Sequence, residues 1–253
     1  MIEEGFSIGD SIIHRIDPRV KTIIAFVFSA TVAISDRFAA LVPSVLIALV
    51  LVPLASLPLL GVCHRLLIVN GLILLIWVFI PFTFAGEQLF TLGPLTATKE
   101  GIIYSVLLTI KSNSIILILM ALVATTPIFT MGRAMRHLHV PAKIVHLFLF
   151  TYRYIHAIHR EYLRQMNAIK IRGFQPGTNM HTYRTYAYLV GMLLVKSHDR
   201  AERVRAAMLC RGFRGRFYDL SQFNLKTSDL IMSVLMLLAV TIVCLLQWTR
   251  IIY

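Results

Sequence analysis

The sequence predicts an all-α integral membrane protein with about five transmembrane helices and a set of long amphipathic helices on the cytoplasmic side. Three observations predict it. The 253 residues are 57% hydrophobic, with a mean hydropathy of +0.75, far more apolar than a soluble domain of this length requires. Five apolar runs approach the ~20 residues that a helix needs to cross ~30 Å of hydrocarbon. The net charge of +13 is also concentrated in one place. Seventeen Lys and Arg lie between Met131 and Lys226 against four acids (Glu161, Asp199, Glu202, Asp219), while the rest of the chain balances.

The runs are Val20–Ser35, Phe38–Leu60, Leu66–Phe84, Ile102–Thr126 and Leu230–Trp248. The first follows Arg15, Arg19 and Lys21 with no small-residue cleavage site, which reads as a retained helix rather than a removed signal. The second contains Pro43, Pro53 and Pro58, each of which removes a helix hydrogen bond and bends the run. Pro81 and Pro127 near run ends are ordinary stops.

Basic residues mark the cytoplasmic side. Arg15, Arg19 and Lys21 therefore place the N-terminus inside, and His64 with Arg65 place the second connection inside. Asp36–Arg37 and the stretch Ala85–Gly101 fall outside, and the fourth run delivers the chain to the basic segment inside. This divides the chain into membrane helices over 1–127, a basic cytoplasmic segment over 128–228 and a last membrane helix over 229–253, with Tyr253 outside. A sixth span over Tyr186–Val195 would reverse that last assignment.

The basic segment is rich in aromatic and aliphatic residues, so it folds. Two helices are expected, about Ala142–Ile171 and Thr185–Cys210, each with an apolar stripe opposite charges. Glu161–Arg164 and Asp199–Arg203 are spaced as pairs on exposed helix faces. Gly177 and Gly191 are the places where these helices would hinge.

Both helices finish alike. One ends on Ala168, Arg172, Gly173, Phe174 and the other on Ala207, Arg211, Gly212, Phe213, the same A-x-x-x-R-G-F. Taken singly, each is an ordinary stop, with Gly supplying a left-handed residue and Arg complementing the helix dipole. Taken together, two guanidinium forks at helix tips suit carboxylates on two copies of one partner. Arg172 and Arg211 are the candidate docking residues, with Gly173 and Gly212 shaping the ends.

The chain at this point resembles the transmembrane T component of energy-coupling factor (ECF) transporters, most closely the CbiQ-type subunit of cobalt and nickel uptake systems. The resemblance rests on Asp17, Pro18, Arg19 and Lys21 in a D-P-R-x-K motif, on Thr125, Thr126 and Pro127, and on His139, Val140 and Pro141 with His in place of a family Gly. It rests also on Arg153–Tyr154 and on the doubled Arg-Gly, where Ile171 and Cys210 replace a family Ala. The resemblance implies a non-catalytic scaffold in the bacterial inner membrane. Its two tips would dock two copies of an ABC-type ATPase. A separate substrate-binding membrane subunit of the CbiM type, with a small accessory subunit in some systems, would carry Co2+ or Ni2+. ATP would be bound by the partner, and no cofactor by this chain.

Lys111, near Asn113, lies inside the fourth run, where a cation is costly and is a coupling candidate; its ordinary reading is a side chain snorkelling outward. Seven of nine histidines lie in the basic segment, and His156 and His159 can share a face, but surrounding arginines oppose a metal ion. Cys63, Cys210 and Cys244 form neither a disulfide framework nor a zinc pattern, and Cys63 and Cys244 read as small apolar residues. No phosphate-binding G-x-x-x-x-G-K-[ST] loop occurs. Nucleic-acid binding through the basic patch conflicts with membrane spans. A vitamin-specific T component, or a membrane enzyme acting on lipid-linked substrates, are the alternatives, the latter opposed by the absence of a catalytic cluster.

Overall fold

A computed structural model describes residues 6, 9–83, 87–92, 95–215 and 227–248. The described elements are α1 (Ile12–Arg15), α2 (Pro18–Ile34), α3 (Phe38–Leu54), α4 (Leu59–Thr83), a short antiparallel hairpin of β1 (Gln88–Leu92) and β2 (Leu95–Thr98), α5 (Lys99–Ile118), α6 (Ile128–His137), α7 (Ala142–Ile171), α8 (Met180–Cys210) and α9 (Thr227–Trp248). The protein is thus an all-α membrane protein, the hairpin being its one departure among the described residues. Tyr253 lies outside them. The chain forms two compact units, one of α7 and α8 and the other of the remaining helices.

In the larger unit, α2, α3, α5 and α9 surround a core in which Phe28, Val32, Leu41, Ile118, Leu122 and Met236 are buried. Ala25, Ala40, Ala48, Ala55 and Ala121 are also fully covered, and small residues let membrane helices approach closely. Outward faces are apolar as well, with Phe26, Leu60, Leu67 and Leu72 exposed, as lipid contact requires. Helix α4 packs on α5 through polar contacts in addition to apolar ones. The side-chain amides of Asn70 and Asn113 bond reciprocally at 3.0 Å, and Trp77 Nε1 donates to Thr109 Oγ1 at 2.9 Å.

Three described helical segments are long and apolar enough to cross a membrane: Leu59–Thr83, Lys99–Val123 and Asp229–Trp248. Helices α2 and α3 are apolar but hold 17 residues each, at the lower limit for a span. Tyr186–Val195 is part of the 31-residue helix α8 of the smaller unit, which is not among the three.

The second expected run, Phe38–Leu60, is in fact split. Pro43 and Pro53 stay inside α3, but the chain breaks at Ala55–Leu57, where Ser56 takes φ 51°. Pro58 disfavours helical geometry at Leu57 and then starts α4. The third span therefore begins at Leu59 rather than Leu66, and His64 and Arg65 belong to its opening turns. Arg65 lies 4.3 Å over the Phe6 ring.

Helix α5 ends in a π turn, Leu119–Val123, closed by Ala124 N–H donating to Leu119 O at 3.0 Å. Thr125 Oγ1 and Thr126 Oγ1 then donate to Ala121 O (2.9 Å) and Leu122 O (3.2 Å), satisfying carbonyls that the helix end leaves open. Helix α6, which the sequence did not reveal, packs against α2. It is followed by His139 with φ 63°, a left-handed conformation that Gly adopts most readily.

Candidate functional site: two arginine-capped helix ends

Helices α7 and α8 carry the two candidate tips, and the backbone at the two ends is nearly superimposable. Arg172 and Arg211 are the C-caps, with φ/ψ of −77°/10° and −87°/11°. Gly173 and Gly212 both take φ 80°. Gly173 N–H donates to Lys170 O at 3.0 Å and Phe174 N–H to Ile169 O at 3.3 Å. The equivalent bonds at the second end are Gly212 to Leu209 at 2.9 Å and Phe213 to Met208 at 3.0 Å. Each is a Schellman motif, which closes the last carbonyls and turns the chain away. A Cβ at either glycine would meet nothing within 4 Å, so backbone geometry rather than crowding requires Gly there. Ile171, Arg172, Cys210 and Arg211 are exposed, so the guanidinium forks are open to a partner.

Beyond the first tip the chain folds back. The Phe174 ring lies 6.1 Å from that of His181 and 5.8 Å, edge-on, from that of Tyr186. Asn179 caps α8, its Oδ1 accepting from Thr182 N at 2.9 Å and Thr182 Oγ1 at 2.6 Å. Behind Arg172 lies a groove of about 510 Å³, lined by Gln165, Ile169, Phe174, His181, Tyr188 and Met192 among others. Gly191 sits inside the unbroken α8 and Gly177 in the connecting loop.

Further along, Glu161 of α7 meets α8. Lys196 Nζ donates to Glu161 Oε1, and Arg164 lies 3.6 Å from Oε2. Glu161 is 9% exposed. The Glu161–Arg164 pair exists, with Arg164 on the open helix face at 76% exposure and Glu161 covered from the side of α8 by Lys196. The Lys196 hydrogen bond holds the Glu161 carboxyl below the usual carboxylate range, against the desolvation that raises it.

Lys111, the intramembrane coupling candidate, is ion-paired. It reaches Asp36 Oδ1 at 2.7 Å and Ala33 O at 3.2 Å, so it ties α5 to the loop that follows α2. Sequence reasoning missed a second charged cluster. Lys21 (2% exposed) is buried with Asp17 and Asp229, and Asp17 N–H donates to Asp229 Oδ1 at 3.0 Å, tying the start of α2 to that of α9. The signal was present: a D-P-R-x-K opening one apolar run and a lone Asp opening the last. Among the described residues no three His, Cys, Asp or Glu are grouped to hold a metal ion. Cys63, Cys210 and Cys244 are all exposed, Cys63 and Cys244 on outward helix faces rather than in the core.

These features define a class, a helical membrane protein that presents two matched arginine-capped helix ends. The profile of the cobalt transport protein family CbiQ matches residues 9–222, and the chain belongs to that family. It is similar to the energy-coupling factor transporter transmembrane protein EcfT of Thermosediminibacter oceani, 27% identical over 218 residues covering 82% of each chain. It is similar to EcfT of Lactococcus lactis, 28% identical over 218 residues with the same coverage. EcfT of Bacillus subtilis is 26% identical over 225 residues, again 82% of each.

Proposed function

We propose that this chain is the transmembrane coupling subunit of an ECF-type importer, passing the motion of an ATPase to a separate substrate-binding membrane subunit. The observation that carries the reading is the pair of matched, exposed Arg-Gly helix ends. A planar guanidinium beyond a closed helix end is suited to a carboxylate-bearing groove, and two such ends suit two copies of one ATPase. The EcfT relatives support the assembly. The family description supports cobalt, or the similar nickel ion, as cargo held on the companion subunit, while the chain itself is non-catalytic. Residues 128–228 and the N-terminus face the cytoplasm in a multi-pass arrangement in the inner membrane, as the concentration of charge favours.

A vitamin cargo is the second reading, compatible with relatives named for the coupling factor alone. Mild-detergent purification of the tagged protein from its native membrane tests both. An ATPase that accompanies the wild type and is lost with Arg172→Glu plus Arg211→Glu supports the coupling role, and the companion membrane protein identifies the cargo. A double variant that still retains the ATPase sinks the docking assignment.

A further inference from the structure

The contact between α7 and α8 has an uneven profile. Over its 30 residues α7 buries two side chains, Val145 and Glu161. Taking a carboxylate out of water is costly unless a cation meets it, and here Lys196 meets one oxygen and Arg164 flanks the other. Around this contact Ile158, Leu193, Ser197 and Arg200 leave a void of about 10 Å³, at or below the size of one water. The helices are linked there by the Glu161–Lys196 side chains with little space left around them. Towards the first tip they part, and the space between them grows to the 510 Å³ groove.

Two stiff rods pinned by an ion pair, and beyond it joined by a loop and the packing of Phe174 on Tyr186, can change their angle about the pinned point. Arg172 lies eleven positions past Glu161, about 16 Å along α7, and Arg211 fifteen positions past Lys196, about 22 Å along α8. Both arms are continuous helix, ended by the same cap.

We propose that the Glu161–Lys196 ion pair is the fulcrum of the coupling helices, a positioning contact that fixes the angle between α7 and α8 so that displacement of one arginine tip is delivered to the other arm. This rests on the reading of the tips as docking points. A contact that merely held a hairpin together would affect folding and assembly. A fulcrum affects the yield of transport per ATP.

Two measurements decide it. The first uses the full chain alone in lipid nanodiscs, with spin labels on Cys210 and on Ile171→Cys, and with Cys63 and Cys244 replaced by Ser. With Glu161 and Lys196 in place, the distance between tips is a single narrow distribution. Glu161→Gln broadens it, and the exchange Glu161→Lys with Lys196→Glu narrows it again. An unchanged width in Glu161→Gln overturns the proposal. The second uses the complex purified with its ATPase and reconstituted in vesicles, with Co2+ as the probe. Glu161→Gln keeps the ATPase bound and ATP hydrolysis near wild type, while Co2+ uptake falls at least about tenfold, and the exchange restores uptake. Unchanged uptake, or uptake lost together with the ATPase, overturns the fulcrum. If the wild type binds no ATPase, the coupling reading fails instead, and the distance measurement still decides whether this ion pair sets the angle.

Discussion

The two compact units are both made of long helices, yet different forces hold them. In the membrane unit, α2, α3, α5 and α9 share a continuous core, and the covered alanines bring backbones close together. In the basic unit, α7 and α8 bury only Val145, Glu161, Thr182 and Leu189 between them over 61 residues. A core of interlocked apolar side chains resists deformation everywhere at once. Two rods joined by a loop and an ion pair are stiff along their lengths and adjustable in their angle. The first arrangement suits a frame and the second a moving part.

That contrast can be broken or sharpened. The largest effect is expected from Arg172→Glu with Arg211→Glu, which removes ATPase binding while leaving the thermal unfolding of the chain in detergent unchanged. A lowered unfolding temperature would mean that the tips also support the frame. Next is Lys21→Met, which strands Asp17 and Asp229 beside each other and should destabilise the membrane unit by about 3 kcal/mol, read as a lower unfolding temperature. The distance between tips should not change. Acid comes third. The folded Glu161 carboxyl titrates lower than the unfolded one, so its contribution is complete above the ordinary glutamate pKa of about 4.3 and is lost as pH falls through the depressed folded value. The distance between tips should hold from neutral pH down through that point and spread only below it.

Smaller effects follow from backbone geometry and exposure. Gly173→Ala or Gly212→Ala places a Cβ at φ 80° and should cost about 1 kcal/mol each, seen as faster amide exchange in the last turn of α7 or α8. Equal effects at the two ends would confirm their equivalence; a smaller effect at Gly173 would show that Phe174 packing on Tyr186 shares the task. Asp36→Asn should cost about 1 kcal/mol in thermal unfolding, because Asp36 is 77% exposed while the Lys111 side chain that it meets is 15% exposed.

Much of this was legible in the sequence. The helix Ala142–Ile171 lies where its amphipathic stripe put it, and both glycine stops fall where the repeated A-x-x-x-R-G-F placed them. These features are encoded locally, by periodicity and by one residue that accepts positive φ. The break at Ala55–Leu57 was not legible, because composition cannot rank three prolines, and only packing shows that Pro43 and Pro53 are absorbed while Pro58 is not. Helix α8 begins five residues before its expected start, at a cap made by Asn179. The partners of Lys111, Lys21 and Glu161 stand 75, 208 and 35 positions away, and no local pattern reports such distances.

The π turn at Leu119–Val123 has a consequence for chain length. Five residues there fill a turn that a regular helix completes with about four, so α5 carries a surplus residue. Deleting one position within it leaves a continuous α-helix and keeps the residues beyond close to their present facing, whereas a deletion elsewhere in α5 turns them by about 100°. Thr125 and Thr126, buried at 0% and 6% exposure, would stay in the core in the first case and swing out of it in the second. In a scan of single-residue deletions along α5, tolerance at this turn should accordingly be read from whether those two hydroxyls keep their places, and not from helix content, which would rise.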